Sequence, residues 1–179
     1  QKKNIIGIFG DYDVDGATSA AILAKYFKQI NHPFELLIPD RIKDGYGPTK
    51  GGFDFLINKG SKLIISADCG TSSFEAILYS KNKNIQTIVL DHHQGDIKLP
   101  EATAIVNPNR IDDESKLSYL CAAGVCFMFL VSLNSKLKKM NWFKVNNIDV
   151  PDILNYLDLV CLGTICDVVP VIGSNSIVA

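Results

Sequence analysis

The sequence predicts an α/β fold, a doubly wound and mainly parallel sheet with helices on both faces. Three observations carry this expectation. Short runs rich in Ile, Val, Leu and Phe recur along the chain, segments of helical periodicity lie between several of them, and acidic residues follow some of the runs directly. The last feature is what an open parallel sheet shows when it gathers ligands beyond the carboxyl ends of its strands. With 179 residues, 47% of them hydrophobic, the chain can bury one sizeable core, so a single domain over residues 1–179 is expected.

Taken in order, the strand-like runs cover residues 4–10, 34–38, 62–67, 86–90 and 103–107. After the first, Leu23, Tyr26, Phe27 and Ile30 repeat at the spacing of one helix face, in a helix expected to start near Ala17. Residues 52–59 and 73–83 form shorter helical segments, and 119–133 and 152–162 are apolar enough to be largely buried helices. The stretches 39–52 and 93–118 read as long loops, which in compact domains are often functional.

Composition narrows the partners. Lys+Arg 18 against Asp+Glu 19 gives a net charge of -1, so no global positive field announces nucleic acid. Such binding must come from a local patch, from metal ions or from a region outside this chain. The five cysteines are odd in number, and their two C-x4-C spacings match neither a redox pair nor the usual zinc site. They read as reduced thiols of a cytoplasmic protein, with Cys121, Cys126, Cys161 and Cys166 as small buried hydrophobes. The chain lacks the uninterrupted run of about 18 apolar residues that a membrane helix needs, and its start does not resemble a secretory signal. It opens within three residues of its first strand and ends without a terminal element, as expected of an excised part of a longer protein.

The chemistry concentrates at strand ends. Gly10-Asp11-Tyr12-Asp13-Val14-Asp15-Gly16 places carboxylates at every second position between a strand and a helix, a concentration of charge that a cation would neutralise. An EF-hand loop is excluded, because Ile22 stands where its bidentate Glu belongs and a strand precedes the motif. An acidic solvated turn with an N-cap at Asp15 also accounts for this motif taken alone. Asp68 follows the third strand and Asp91-His92-His93 the fourth. If strands one, three and four are neighbours, Asp13, Asp15, Asp68 and His92 converge on an oxygen-rich cleft suited to Mn²⁺ or Mg²⁺. Asp167 lies between apolar runs, where a charge is either paired or bound to metal. Arg41, Tyr46 and Arg110 are candidates for holding a nucleotide, although ordinary turns account for them nearly as well. The lysines and aromatics of residues 136–144 read as a solvated helix end.

The ordered set DYDVDG, ADCG, DHH and GTICDVVP resembles the four signature motifs of the DHH phosphoesterase superfamily, and the flanks PDRIKDGYGP, AIVNPNR and LCAAGVCFMFL resemble its bacterial RecJ branch. The resemblance spans nearly the whole chain. It implies a DHH catalytic domain over 1–179 that is followed in the family by a DHHA1 domain and an oligonucleotide-binding fold. It further implies two divalent ions, Mn²⁺ favoured over Mg²⁺, held by Asp13, Asp15, Asp68, His92 and Asp167 with Asp68 bridging. By the same likeness His93 contacts the scissile phosphate, and Asp11 and Asp91 are catalytic-motif carboxylates. The implied activity is 5′-to-3′ exonuclease action on single-stranded DNA in repair and recombination, with a helicase or a single-strand-binding protein as candidate partners. Two other readings use the same fold: a phosphodiesterase of short oligonucleotides or cyclic dinucleotides, and a non-catalytic replication scaffold. Cys69 and Ala67 depart from the common Asn and Val of the branch, and neither removes a ligand.

Overall fold

The computed structural model describes residues 4–178, so the outermost residues of the expected 1–179 domain, 1–3 and 179, lie outside the description. Five strands form one sheet in the order β2-β1-β3-β4-β5: β1 (Ile5–Gly10), β2 (Phe34–Leu37), β3 (Ser61–Ala67), β4 (Gln86–Leu90) and β5 (Ala104–Val106). Every neighbouring pair is parallel. Each strand matches its expected span to within one residue at either end. The helices are α1 (Val14–Gln29), α2 (Arg41–Asp44), α3 (Lys50–Asn58), α4 (Phe74–Asn82), α5 (Ala122–Lys139), α6 (Trp142–Val145), α7 (Leu157–Cys166) and α8 (Asn175–Val178), with a 3₁₀ turn, Ile153–Tyr156, leading into α7.

Because successive strand residues face opposite ways, the sheet builds two cores. Ile8, Ile65 and Leu90 point to the side covered by α1, α5 and α7, while Phe9, Ile64 and Val89 point to the side covered by α3 and α4. The last four residues of β1 and of β3 are buried throughout, as two-sided coverage requires, whereas the edge strands β2 and β5 are partly exposed. No described helix is long and apolar enough to cross a membrane.

The structure departs from the sequence reading at several places, among them the helix expected over 152–162, which is a 3₁₀ turn followed by α7. The 39–52 stretch is not a plain loop: Asp40 accepts the amides of Ile42 (2.9 Å) and Lys43 (3.1 Å) and caps the single turn of α2, and Thr49 caps α3. Helix α1 starts at Val14 with Asp13, not Asp15, as its N-cap. Helix α5 runs to Lys139, six residues beyond the apolar stretch 119–133, because its last turns need only a solvated polar face. The C-terminal stretch carries the short α8 where no terminal element was expected. The cysteines also divide. Cys69, Cys121 and Cys126 are buried, but Cys161 is half-buried and Cys166 exposed, since α7 is apolar on all sides and only one face meets the core.

Helix α7 lies close against α1 and α5 at Gly163. A Cβ there would sit 2.7 Å from Asp15 Oδ1 and 2.8 Å from Ala123 Cβ. Gly163→Ala is therefore expected to cost about 1–3 kcal/mol by overpacking, read as a lower urea midpoint. An unchanged midpoint would contradict the tight crossing.

Candidate metal centre

The sheet changes direction of winding between β1 and β3, and there the loops after β1, β3 and β4 meet the end of α7. The carboxylates are placed in different ways. Asp13 Oδ1 accepts the Gly16 amide at 2.8 Å. Gly16 has no room for a side chain, since a Cβ would lie 2.6 Å from the Asp11 carbonyl, and this close approach folds buried Asp11 under the helix start. Asp15 projects from the first turn of α1 to the N-terminus of α5, where its two oxygens accept the amides of Ala122 (2.6 Å) and Ala123 (2.9 Å). The helix dipole of α5 favours the carboxylate there. Asp68 takes a left-handed φ of 64°, which Asp tolerates better than most residues, and its amide donates to the Leu90 carbonyl at 2.9 Å. Asp167 terminates α7 as its C-cap.

Around His92 the three strands' contributions converge. Its Nε2 lies 3.4 Å from Asp68 Oδ1, 3.6 Å from Asp167 Oδ2 and 3.7 Å from Asp15 Oδ2. Two sets of ligand atoms emerge, each within 4.8 Å of one another: Asp11, Asp13 and Asp68 on one side, Asp15, His92 and Asp167 on the other. Asp68 also groups with His92 and His93, so it stands between the two sets. Both oxygens of Asp68, with Asp11 Oδ1, His92 Nε2 and Asp167 Oδ2, are buried without a hydrogen-bond partner. Buried polar atoms in a purely structural network are satisfied by protein donors. Here the unsatisfied atoms are acceptors aimed at shared space, the donor set that hard, oxygen-preferring divalent cations take. The electrostatics agree. Burial, and then the charges of Asp15 and Asp13, push the Asp68 carboxyl up to about 10, and burial likewise raises Asp11 and Asp167.

Asp91 differs from its neighbours. Its Oδ2 accepts the Thr71 amide at 2.9 Å, while its Oδ1 accepts the amides of His92 (2.7 Å) and His93 (3.1 Å) and the His93 ring Nδ1 (2.8 Å). Burial would raise its carboxyl, but the hydrogen bonds from His93 and Thr71 outweigh it and hold the group at about 2. Asp91 thus organises the turn, whereas Asp11 keeps an oxygen free for the cleft.

The remaining sequence candidates are dispersed in role. His93 sits at the rim with the Tyr46 hydroxyl 3.2 Å from Nδ1 and 3.3 Å from Nε2. Arg41 is exposed and lies 5.1 Å over the Tyr12 ring, next to the acidic motif. Arg110 is committed, with its guanidinium on the Asp112 carboxylate and, at 2.7 Å, on the Ile105 carbonyl at the sheet edge. Sequence reasoning passed over Asn107, Asn109 and Thr71, which brace the turn that carries the histidines. The signal available was the N-P-N order at a strand end, a place where Asn side chains bond nearby backbone.

Asp68→Asn provides a test of the crowding. A raised carboxyl pKa in the fold means that stability is lost as pH rises from about 4, the unfolded value, toward the folded value of about 10. In metal-free buffer the Asn variant should melt higher by at least about 3 °C at pH 8, with a smaller gain at pH 5. It should also lose the rise in melting temperature that millimolar Mn²⁺ gives the unaltered chain. An equal gain at both pH values would refute the crowding.

Three comparisons bear on this geometry. The family model described as "DHH family, N-terminal domain" matches residues 5–164. The chain is 38% identical over 171 residues to the single-stranded-DNA-specific exonuclease RecJ of Salmonella typhimurium and 37% identical to that of Escherichia coli, covering 95% of this chain and 30% of each relative. The chain therefore spans about a third of the length of these relatives. A crystal structure of exonuclease RecJ bound to manganese superposes with a TM-score of 0.81 at 29% identity, over 97% of this chain and 41% of that one. Matched along most of its length by the family model and carrying the family's acidic and histidine motifs around one cleft, the chain belongs to the DHH family as an N-terminal domain.

Proposed function

We propose that residues 1–179 form the catalytic domain of a metal-dependent hydrolase that removes nucleotides from the 5′ end of single-stranded DNA, in the cytoplasm, during repair and recombination. The observation that carries this reading is the set of buried, unpartnered acceptors of Asp68, His92, Asp167 and Asp11 facing one another across the strand ends. The sequence relatives act on single-stranded DNA by name, and the solved relative holds manganese. Asp11, Asp13 and Asp68 would hold one ion, and Asp15, His92 and Asp167, with Asp68 shared, a second. Mn²⁺ is favoured over Mg²⁺ because the donor set includes an imidazole. A pair of divalent ions supplies positive charge against the negative charge that develops as a phosphodiester is displaced in line.

The chain's own residues set the geometry for that chemistry. Asp91 is ionised and accepts only, so it takes the His93 Nδ1 proton and raises the pKa of the ring, and the imidazolium so favoured keeps an Nε2 proton to donate to a phosphate oxygen. Tyr46, whose hydroxyl now lies against the His93 ring, stands where an incoming strand would pass. Arg41 beside Tyr12 offers a cation and an aromatic face to the nucleotides that follow, and Arg110 contributes only by leaving its bond to Asp112.

Digestion of 5′- and 3′-labelled single strands, duplexes and dinucleotides in Mn²⁺ tests the reading. Release of labelled mononucleotide from the 5′ end of single strands is expected. Preference for dinucleotides would favour the short-oligonucleotide phosphodiesterase, and no turnover of any of them the non-catalytic scaffold. Asp167→Ala should lower the rate at least about 100-fold with the circular dichroism spectrum unchanged; retention of a tenth of the activity would remove Asp167 from the site.

A further inference from the structure

The turn carrying His92 and His93 is held from both sides. Asp91 takes its amides, as described above. Its carbonyls are taken by the residues that follow β5. Asn107 Nδ2 donates to the His93 carbonyl and to Thr71 Oγ1, both at 2.8 Å, and Asn107 Oδ1 accepts the Asn109 amide at 2.8 Å. Asn109 Nδ2 in turn donates to the His92 carbonyl. Asn107 is 2% exposed, and its amide is bonded at both ends. Thr71 closes the circuit, because its own amide reaches Asp91 Oδ2. The loops after β3, β4 and β5 are therefore laced together at one point, although β5 contributes no side chain to the ligand sets.

We infer that Asn107 and Asn109 are positioning residues: by holding the carbonyls of His93 and His92 they fix the His92 imidazole in front of Asp15, Asp68 and Asp167. The physical need is specific. His92 lies among three carboxylates and has no hydrogen-bond partner at Nε2, so nothing at the ring tip sets its angle in the absence of a cation. Its orientation must come from the backbone, and a peptide pinned at both its amide and its carbonyl cannot rock about the strand axis. Outer partners of this kind typically change metal affinity 10- to 100-fold when removed.

This inference rests on the metal-site reading of the previous subsection, and the experiment separates the two. Mn²⁺ affinity is measured by calorimetry for the unaltered chain, Asn109→Ala, His92→Ala and the double variant, with melting temperatures recorded alongside. If Asn109 acts through His92, Asn109→Ala weakens Mn²⁺ at least about tenfold in the unaltered background and less than about twofold when His92 is already Ala. A merely structural asparagine would lower the melting temperature in both backgrounds and affect Mn²⁺ equally in both. Equal factors, or no loss at all beside normal uptake by the unaltered chain, would overturn the inference. No uptake by the unaltered chain would overturn the metal reading and this one with it. Should Asn109→Ala fail to fold, Asn109→Ser keeps a small polar side chain too short to reach the His92 carbonyl, and the same cycle is read with it.

Discussion

Mutual repulsion among carboxylates crowded at the ends of β1, β3 and α7 is the constraint that the rest of this structure serves. Asp11, Asp15 and Asp68 are each almost completely buried. An isolated ionised carboxylate in such surroundings would lose its charge to a proton, as the raised pKa of Asp68 shows. The fold meets this cost with backbone donors where it can. The amides of α5 hold Asp15, the Gly16 amide holds Asp13, and four hydrogen bonds hold Asp91. Both oxygens of Asp68 are buried without a hydrogen-bond partner, so its charge depends on a cation.

That division of labour accounts for several features distant from the cleft. Helix α5 must present its N-terminus to Asp15, which brings α1 and α5 together and leaves room only for glycine where α7 meets them. The apolar surfaces of the three helices then close one core over Ile8, Ile65 and Leu90. Packing and electrostatics thus impose the same arrangement from two directions, which is how a site with unsatisfied charges persists in a marginally stable chain.

Basic residues play a smaller part than a nucleic-acid partner suggests. Arg110 covers the open edge of the sheet at the Ile105 carbonyl, a backbone group that would otherwise invite pairing with another strand. Its pairing with Asp112 also neutralises it locally. Arg41 and Tyr46 remain exposed around the cleft mouth, Tyr46 between two glycines of positive φ, Gly45 and Gly47.

Sequence alone determined the fold class and the identity of the strands, because a buried parallel strand must be an apolar run and its ligands must follow it directly. The grouping of Asp13, Asp15, Asp68, His92 and Asp167 was legible in the sequence through their placement after apolar runs and the resemblance to the DHH motifs, although a cap or a loop carboxylate accounts for several of them taken singly. What the sequence left open was decided by contacts between residues far apart in the chain. That β1, β3 and β4 are neighbours follows from pairing across the sheet, to which local periodicity is blind. The separation of Asp91 from Asp11, one saturated and the other free, follows from donors at Thr71 and His93 that only the assembled loops supply. The same holds for Asn107 and Asn109. An asparagine in a turn reads as a local cap, and only tertiary structure, by bringing the loop after β5 under the histidines, gives its amide a distant carbonyl to hold.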